Sequence, residues 1–271
     1  MTKEEDNGTT QGIRLQKWLA EAGLCSRRQG EQWIVAGRVT VNGQVVQQLG
    51  TRVVPGDKVA VDGRSVAGET QSGSAVLAFN KPVGVLCSRK DPQGRKTIFD
   101  LMGEAGNGLI SVGRLDLNSE GLLLLTKDGQ LVHQLTHPSR QVARIYRARV
   151  RGRLDEAMME RIRAGVALDD GHTGPLEVAL DRVPEGSNSW VTITLREGRN
   201  RLVRRIFEFF GMEVSRLIRI SYGGVTLGEM PTAHWRILER WEANLLRQAA
   251  GMDIIPGVYR EKRKRHAEEE G

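Results

Sequence analysis

The stretch GRLDLNSEGLLLLTKDG, residues 113–129, decides how the rest of the chain is arranged. Its four consecutive leucines, 122–125, predict a buried strand, with a glycine before it and an Asp-Gly turn after it. The polar run 114–120 is then a loop whose far end is anchored in the core. A carboxylate in this loop, that of Asp116, would be held rigidly, and such supported loops are where proteins commonly place chemistry.

The composition predicts a soluble protein with a polyanionic partner. The 271 residues are 39% hydrophobic, and no run approaches the roughly 20 apolar residues that a membrane helix needs. A total of 40 Lys and Arg against 33 Asp and Glu gives a formal charge of +7, which favours nucleic acid. The polar residues 1–11 lack the apolar segment of a signal peptide, so we expect a cytoplasmic protein without membrane contact.

The cysteines and histidines predict neither a disulfide framework nor a metal site. Cys25 and Cys87 are the two cysteines of the chain and form no Cys-x-x-Cys pair. His133 and His137 are four residues apart, but the glutamate that follows the first histidine in zinc hydrolases is missing. We therefore predict no bound metal and interpret both histidines as surface or packing residues.

The first predicted domain, residues 12–66, begins with two helices. Apolar residues recur at helical spacing over residues 15–22. A second helix is predicted to begin at Ser26, whose side chain would form a capping box with Gln29, and to end before Gly37. The helices are therefore short and lie next to each other in the chain.

Strands complete this domain, and a linker follows. Asn42-Gly43 lies between two alternating segments, which is typical of a two-residue hairpin. A last strand is predicted at residues 58–61. Residues 67–74 are rich in Gly, Ser, Thr and Gln, a composition typical of linkers. The predicted division is a disordered N-terminus (1–11), the first domain (12–66), the linker (67–74), a second domain (75–255) and a charged C-terminal tail (256–271).

The second domain is predicted to mix strands and helices. Asp128 is the expected N-cap of a helix that ends before His137. Residues 144–150 alternate with period two, which indicates a strand with one apolar and one arginine-rich face. The other predicted strands are 76–79, 109–112, 176–183, 190–195, 214–220 and 222–225, and the other helices are 97–101, 154–164, one ending at Gly211, and 239–250.

Together these motifs resemble those of the pseudouridine synthases that modify single sites in ribosomal RNA. Gly-Arg-Leu-Asp at 113–116, with the leucines and Asp-Gly that follow, resembles the motif that carries the catalytic aspartate. Lys81-Pro82 after a strand resembles the first motif, which supports the active site. Residues 197–207 resemble the third motif, in which a basic residue, by position Arg204, pairs with the aspartate. Arg144 and Tyr146 match a basic residue and a tyrosine of the family, and that tyrosine packs on the target base.

Residues 12–64 resemble the S4 RNA-binding module. Two helices, the second with Ser-Arg-Arg, are followed by Gly-Arg-Val and Val-Asn-Gly in the order of that module. Each basic residue could equally be a solvated surface charge. The module reads RNA shape and backbone, so it would position the protein rather than select a base. The resemblance implies one basic surface on RNA phosphates formed by Arg14, Lys17, Ser26, Arg27, Arg28 and Arg38.

The resemblance implies an α+β protein, with an S4 domain followed by a catalytic domain built on a mixed, mostly antiparallel sheet. The implied activity is the isomerisation of one uridine to pseudouridine, catalysed by Asp116, Tyr146 and Arg204 without a cofactor. Arg114 would fill the gap left by the extruded base, and Lys81 is counted among the RNA-binding residues. The expected substrate is 23S ribosomal RNA near the peptidyl-transferase region, with 16S ribosomal RNA as the alternative, and the expected state is a monomer.

A different class of function is also open: an RNA-binding ribosome assembly factor with no turnover. Such a factor needs the basic S4 surface but not the combination of Asp116, Tyr146 and Arg204. The position of the Asp116 side chain discriminates between the two. A side chain sealed in the interior, or turned away from both Tyr146 and Arg204, would exclude the enzyme and leave an RNA adaptor.

Overall fold

The structure, a computed structural model, describes residues 12–22, 24–25, 27–54, 56–66, 75–182 and 188–255. The chain divides into two compact units, Met1–Ser74 and Ala75–Gly271. Several predicted features lie outside the described residues: the N-terminus 1–11, Ser26, the linker 67–74 and the tail 256–271.

The first unit contains two helices and two small sheets. Strand β1 pairs with β4, and the other four strands form an antiparallel sheet in the order β3-β2-β5-β6. Leu15, Leu19 and Ile34 from the helices pack on valines of both sheets to form the core. The elements are β1 (Ile13–Arg14), α1 (Leu15–Glu21), α2 (Arg27–Val35), β2 (Val39–Val41), β3 (Gln44–Val46), β4 (Arg52–Val53), β5 (Val59–Val61) and β6 (Arg64–Val66).

Two hairpins in this unit turn at an Asn-Gly or Asp-Gly pair with positive φ angles, and one of them is predicted from the sequence. Asn42 and Gly43 have φ angles of 52° and 83°, so the predicted hairpin is confirmed. Asp62 and Gly63 also have positive φ angles, 49° and 74°, and connect β5 to β6. The prediction that the strand at 58–61 is the last strand of this domain is therefore wrong, because the Asp-Gly turn is followed by β6, which lies within the predicted bounds 12–66.

The second unit is built on one large sheet with helices on its faces. Among the described residues, most of the predicted helices and strands are found close to their expected bounds. The strand predicted at 222–225 is wrong, because Gly223 and Gly224, with φ angles of 57° and 89°, form a turn between the strands 214–222 and 225–226. The short strands at 167–168, 171–172 and 235–237 are not among the predicted elements. The elements are β7 (Val76–Lys81), α3 (Ile98–Met102), β8 (Ile110–Ser111), β9 (Glu120–Thr126), α4 (Gly129–Thr136), β10 (Arg144–Arg151), α5 (Glu156–Ala164), β11 (Ala167–Leu168), β12 (Gly171–His172), β13 (Glu177–Arg182), β14 (Asn188–Leu195), α6 (Leu202–Phe209), β15 (Val214–Tyr222), β16 (Val225–Thr226), β17 (Trp235–Ile237) and α7 (Arg240–Ala249).

The strand order of the large sheet is β13-β14-β10-β15-β9-β7-β17. Its described pairs are antiparallel except for β9 with β15, which run parallel. The prediction of an α+β fold with a mixed, mostly antiparallel sheet is confirmed. The parallel pair joins the Asp116 segment to the C-terminal half of the unit.

Strand β9 lies at the centre of the packing. Leu122 and Leu124 belong to one apolar cluster, Leu123 and Leu125 to another, and all four side chains are 0% exposed. The strand is thus buried on both faces, which explains the uninterrupted leucine run. Since burying a leucine side chain contributes roughly 1.5–3 kcal/mol, the end of this strand is a firm anchor for the loop before it.

Gly121, at the start of β9, is required by a close backbone approach. Its φ angle is 101°, and a Cβ atom built there would lie 2.4 Å from the carbonyl oxygen of Arg219 on β15. A side chain at this position would therefore separate the two parallel strands.

Within the described residues, no helix is both long and apolar enough to cross a membrane.

Candidate active site

The loop before β9 is held through its backbone. The carbonyl of Asp116 accepts a hydrogen bond from the amide of Ser119 at 3.0 Å, and the carbonyl of Leu117 accepts one from the amide of Gly84 at 2.8 Å. The amide of Leu115 donates to the Sγ atom of Cys87 at 3.4 Å, and burial raises the pKa of this thiol. The loop that presents Asp116 is therefore fixed at both ends.

Lys81, the last residue of β7, is a buried cation beneath this loop. Its side chain is 0% exposed, and its Nζ atom donates to the carbonyls of Pro82, Asp116 and Ser119 at 3.0, 3.1 and 2.8 Å. Burial lowers the pKa of Lys81, which Cys87, Asp116 and Glu120 partly offset. The assignment of Lys81 to the RNA-binding residues is wrong, because an ammonium group with its three donors in use inside the protein has none left for RNA. It supports the loop instead.

Arg204, on α6, holds the same loop from the other side. Its guanidinium donates to the carbonyl of Asn118 at 2.8 Å and to that of Val214 at 2.6 Å. The predicted ion pair with the Asp116 carboxylate is absent from the part of the chain that the structure describes. Burial and the neighbouring Arg201 lower the pKa of Arg204, and Asp116 raises it. The physical reason for the correction is that the guanidinium's hydrogen bonds go to backbone carbonyls.

The Asp116 side chain points outward from the loop into a cavity of about 300 Å³. The carboxylate is exposed, and Tyr146 lines the same cavity. This volume lies at the lower end of the range for small-ligand sites. The cavity is also strongly basic: its lining includes Arg114, Arg144, Arg199, Arg201 and Arg219, against the carboxylates of Asp116 and Glu197.

Strand β10 supplies two of the lining residues, Arg144 and Tyr146. Tyr146 is half-buried and packs against two apolar clusters, one on each side of it. The Arg144 guanidinium lies 5.1 Å from the centroid of the Tyr222 ring and donates to the hydroxyl oxygen of that residue at 3.3 Å. Packing and hydrogen bonding thus hold both side chains in place at the edge of the cavity.

A residue that the sequence analysis gave no role, Arg219 on β15, also lines the cavity. It is 2% exposed, and its Nε atom donates to the carbonyl of Leu122 at 2.7 Å. A signal for it was present in the sequence. Arg219 follows Leu217 by two residues in a strand, so it shares the inward face of that apolar residue.

Salt bridges hold the arginines before α6. Arg199 pairs with Glu197 and with Asp170, both at 2.8 Å. Arg201 takes a left-handed conformation, with φ 50°, and pairs with Glu208 at 3.1 Å. This side of the cavity is therefore a segment of loop held by side chains, unlike the Asp116 loop, which is held by its backbone.

In the first unit, the structure describes every residue of the predicted RNA-binding surface except Ser26. Arg14, Arg27, Arg28 and Arg38 are exposed, and Lys17 is half-buried. Arg38 is also engaged within the protein, since its guanidinium hydrogen-bonds Asp62 and lies 5.0 Å from the centroid of the Trp33 ring. Their contact with RNA stays a prediction. The described residues contain no group of three or more His, Cys, Asp or Glu that could hold a metal ion.

Two family models match this chain. The model of the RNA pseudouridylate synthase family matches residues 75–209, and the S4 domain model matches residues 13–66. A crystal structure of a pseudouridylate synthase superposes with a TM-score of 0.62 at 28% identity, covering 86% of this chain and 99% of the other.

Curated relatives extend the similarity over most of the chain. Ribosomal large subunit pseudouridine synthase B of Escherichia coli K12 is 46% identical over 241 residues, 87% of this chain and 82% of that protein. The proteins of the same name from Haemophilus influenzae and Pseudomonas aeruginosa are 46% and 43% identical, over 89% and 94% of this chain and 69% and 67% of theirs.

Proposed function

Since this chain belongs to the RNA pseudouridylate synthase family, we propose that it converts one uridine of large-subunit ribosomal RNA into pseudouridine. The observation that carries the proposal is the exposed Asp116 carboxylate, presented to a basic cavity by a loop whose carbonyls are held from two sides. The names of the relatives favour large-subunit over small-subunit RNA. A site near the peptidyl-transferase region is the finer expectation.

The reaction rearranges bonds without changing oxidation state. The N1–C1′ bond of uridine breaks, a C5–C1′ bond forms, and the proton lost from C5 is balanced by one gained at N1. No group is consumed, so the protein must supply an ionised carboxylate beside the ribose and a site that retains the detached base. Asp116 supplies the first, and the cavity supplies the second.

The target uridine must leave its stack before Asp116 can reach it. Extrusion of a base costs a few kcal/mol, which contacts in the protein have to offset. Tyr146 offers an aromatic face in the cavity, and stacking of a base on such a face contributes about 1–3 kcal/mol. Arg114 is exposed at the cavity, where it can occupy the space that the base leaves.

The first unit contributes affinity rather than chemistry. Exposed arginines at the start of α2, Arg27 and Arg28, are suited to phosphate groups. The charge balance of the chain favours the same partner. We expect the protein to act in the cytoplasm and as a monomer. Sedimentation of the purified protein with and without RNA would test the oligomeric state.

A labelling experiment tests the proposed reaction. The purified protein is incubated with uridine-labelled transcripts of 23S and 16S ribosomal RNA, and the nucleosides are analysed for pseudouridine. We expect product from a 23S transcript and none from 16S. Salt-sensitive binding without product from either RNA would instead support an assembly factor. Mapping the modified position in cells that lack the gene would identify the uridine.

Tyr146→Phe tests the role of the tyrosine within the same assay. The phenyl ring keeps the stacking face and the packing on both apolar clusters but loses the hydroxyl group. The hydroxyl group is proposed to contribute to the reaction in addition to the stacking face, so we expect much of the activity to be lost while RNA affinity is retained, as measured by filter binding. Full activity of Tyr146→Phe would restrict this residue to stacking alone.

A further inference from the structure

Arg219 contains a buried nitrogen that has no partner among the described residues. Its side chain is 2% exposed, its Nε atom donates to the carbonyl of Leu122, and its Nη2 atom has no hydrogen-bond partner in that part of the chain. Leaving a buried donor of a charged group unsatisfied is destabilising, and such groups are rare in proteins. The guanidinium is therefore only partly hydrogen-bonded within the described residues.

The Arg219 side chain lies at the wall of the cavity. Arg219 lines the cavity together with Asp116 and is the Cα partner of Tyr146 across the β10–β15 pair. The Tyr222 ring, centred 5.2 Å away, lies on another side of it. Within the described residues, Arg219 forms no salt bridge at the usual limit of 4.0 Å, so its charge is not neutralised by an ion pair.

We propose that Arg219 donates a hydrogen bond to a carbonyl oxygen of the extruded uracil and stabilises the negative charge that develops there. This inference rests on the proposed function. A base stacked on Tyr146 would lie next to the residue paired with that tyrosine. Arg219 is also too deeply buried to reach the RNA backbone outside the cavity, so the base is the part of the substrate that it can contact.

A hydrogen bond from Arg219 would stabilise the base whichever way Asp116 begins the reaction. Attack of the carboxylate on C6 of the base moves a pair of ring electrons onto the C4 carbonyl oxygen. Attack on C1′, or removal of the C2′ proton, expels the base with the electron pair of the N1–C1′ bond, and the resulting anion is delocalised over O2 and O4. In each route a uracil carbonyl gains negative charge before the C5–C1′ bond forms, and a fixed cation favours that step.

Sulfur substitution in the RNA tests the contact directly. The target uridine is replaced by 2-thiouridine or 4-thiouridine, whose sulfur accepts hydrogen bonds more weakly than oxygen. Single-turnover rates are measured for the wild type, Arg219→Met and Arg219→Lys. We expect Arg219→Met to be slowed about 100-fold on unmodified RNA, the usual effect of removing one donor that stabilises a developing anion.

The expected signature is non-additivity. One of the two sulfur substitutions should slow the wild type by about tenfold and leave the rate of Arg219→Met unchanged, because the contact that sulfur weakens is already gone. Arg219→Lys, which keeps the charge, should retain part of the sulfur effect. Arg216→Met is the matched control, because Arg216 lies on the same strand but is exposed and paired with Glu120.

Two results would overturn the assignment. If sulfur slows Arg219→Met by the same factor as the wild type, or slows neither of them, Arg219 does not touch the base and its role is structural. Thermal unfolding and RNA affinity are measured for each variant, and Arg219→Lys decides the matter if Arg219→Met does not fold. Absence of pseudouridine from the wild type with unmodified RNA would be a separate failure, that of the proposed function.

Discussion

The Asp116 loop and the arginines at the start of α2 use charge in opposite ways. Around the loop, the cations Lys81 of β7 and Arg204 of α6 donate to its backbone carbonyls and fix the position of one carboxylate. Arg27 and Arg28 are instead exposed to solvent. Basic residues in one RNA-binding protein can therefore have separable roles. Changes in the loop should affect the rate of reaction, and changes on α2 should affect affinity.

The largest effect is expected for Asp116→Asn, which keeps the size of the side chain and removes its charge. Turnover should fall by up to about 10⁴-fold, since the reaction loses its ionised group, while RNA affinity stays the same. Single-turnover kinetics and filter binding measure the two quantities. The control is Asp169→Asn, which alters an exposed carboxylate outside the cavity. Substantial activity in Asp116→Asn would show that the loop does not present the group on which the reaction depends.

A smaller loss is expected for Lys81→Met, which removes the buried ammonium under the loop. The carbonyls of Asp116 and Ser119 lose a donor, so the carboxylate shifts, and a misplacement of about 1 Å can cost 10²-fold in rate. RNA affinity should be unchanged. Lys96→Met, at an exposed lysine, is the control. Reduced affinity with a normal rate would indicate that Lys81 contacts RNA. Lys81 would then act like the arginines at the start of α2.

Arg204→Met should have a milder effect. The carbonyl of Asn118 loses its hydrogen bond from a charged donor, which contributes about 1.5 kcal/mol and corresponds to roughly tenfold in rate. Arg205→Met is the control, because the adjacent Arg205 pairs with Asp170 instead. A loss in Arg204→Met as large as that of Asp116→Asn would indicate that Arg204 pairs with the carboxylate once RNA is bound.

The smallest effect on chemistry is expected for the double variant Arg27→Ala/Arg28→Ala. Affinity should fall, and the slope of log K against log salt should decrease by roughly 0.7–0.9 for each lost phosphate contact. The rate at saturating RNA should be that of the wild type. Arg163→Ala, which removes an arginine on α5 paired with Glu156, is the control. An unchanged salt slope would assign these two arginines to the solvated surface.

Local patterns were enough to predict the elements that carry the site. The leucine run specified β9, Asp128 specified the start of α4 through its hydrogen bond from Leu131, and period-two alternation specified β10. Each of these signals is contained within a few neighbouring residues. The edge strand β17 had no such signal, because it exists through pairing with the distant β7.

Side-chain directions in the site could not be read in the same way. Lys81 is separated by 35 residues from the Asp116 carbonyl that it binds, and Arg204 by 86 from that of Asn118. Which carbonyl a cation meets depends on how the strands pair across the sheet. Motif order placed these residues near one another, but whether they contact RNA, carboxylate or backbone required the three-dimensional structure.

The backbone contact at Gly121 has a consequence for the adaptability of this site. With no room for a Cβ atom between β9 and β15, the segment bearing Asp116 and the strand bearing Arg219 are joined as one unit. We therefore expect accommodation of different RNA shapes to come from the facing segment, residues 197–201. Directed evolution toward a new target uridine should accumulate substitutions in that segment and leave position 121 untouched.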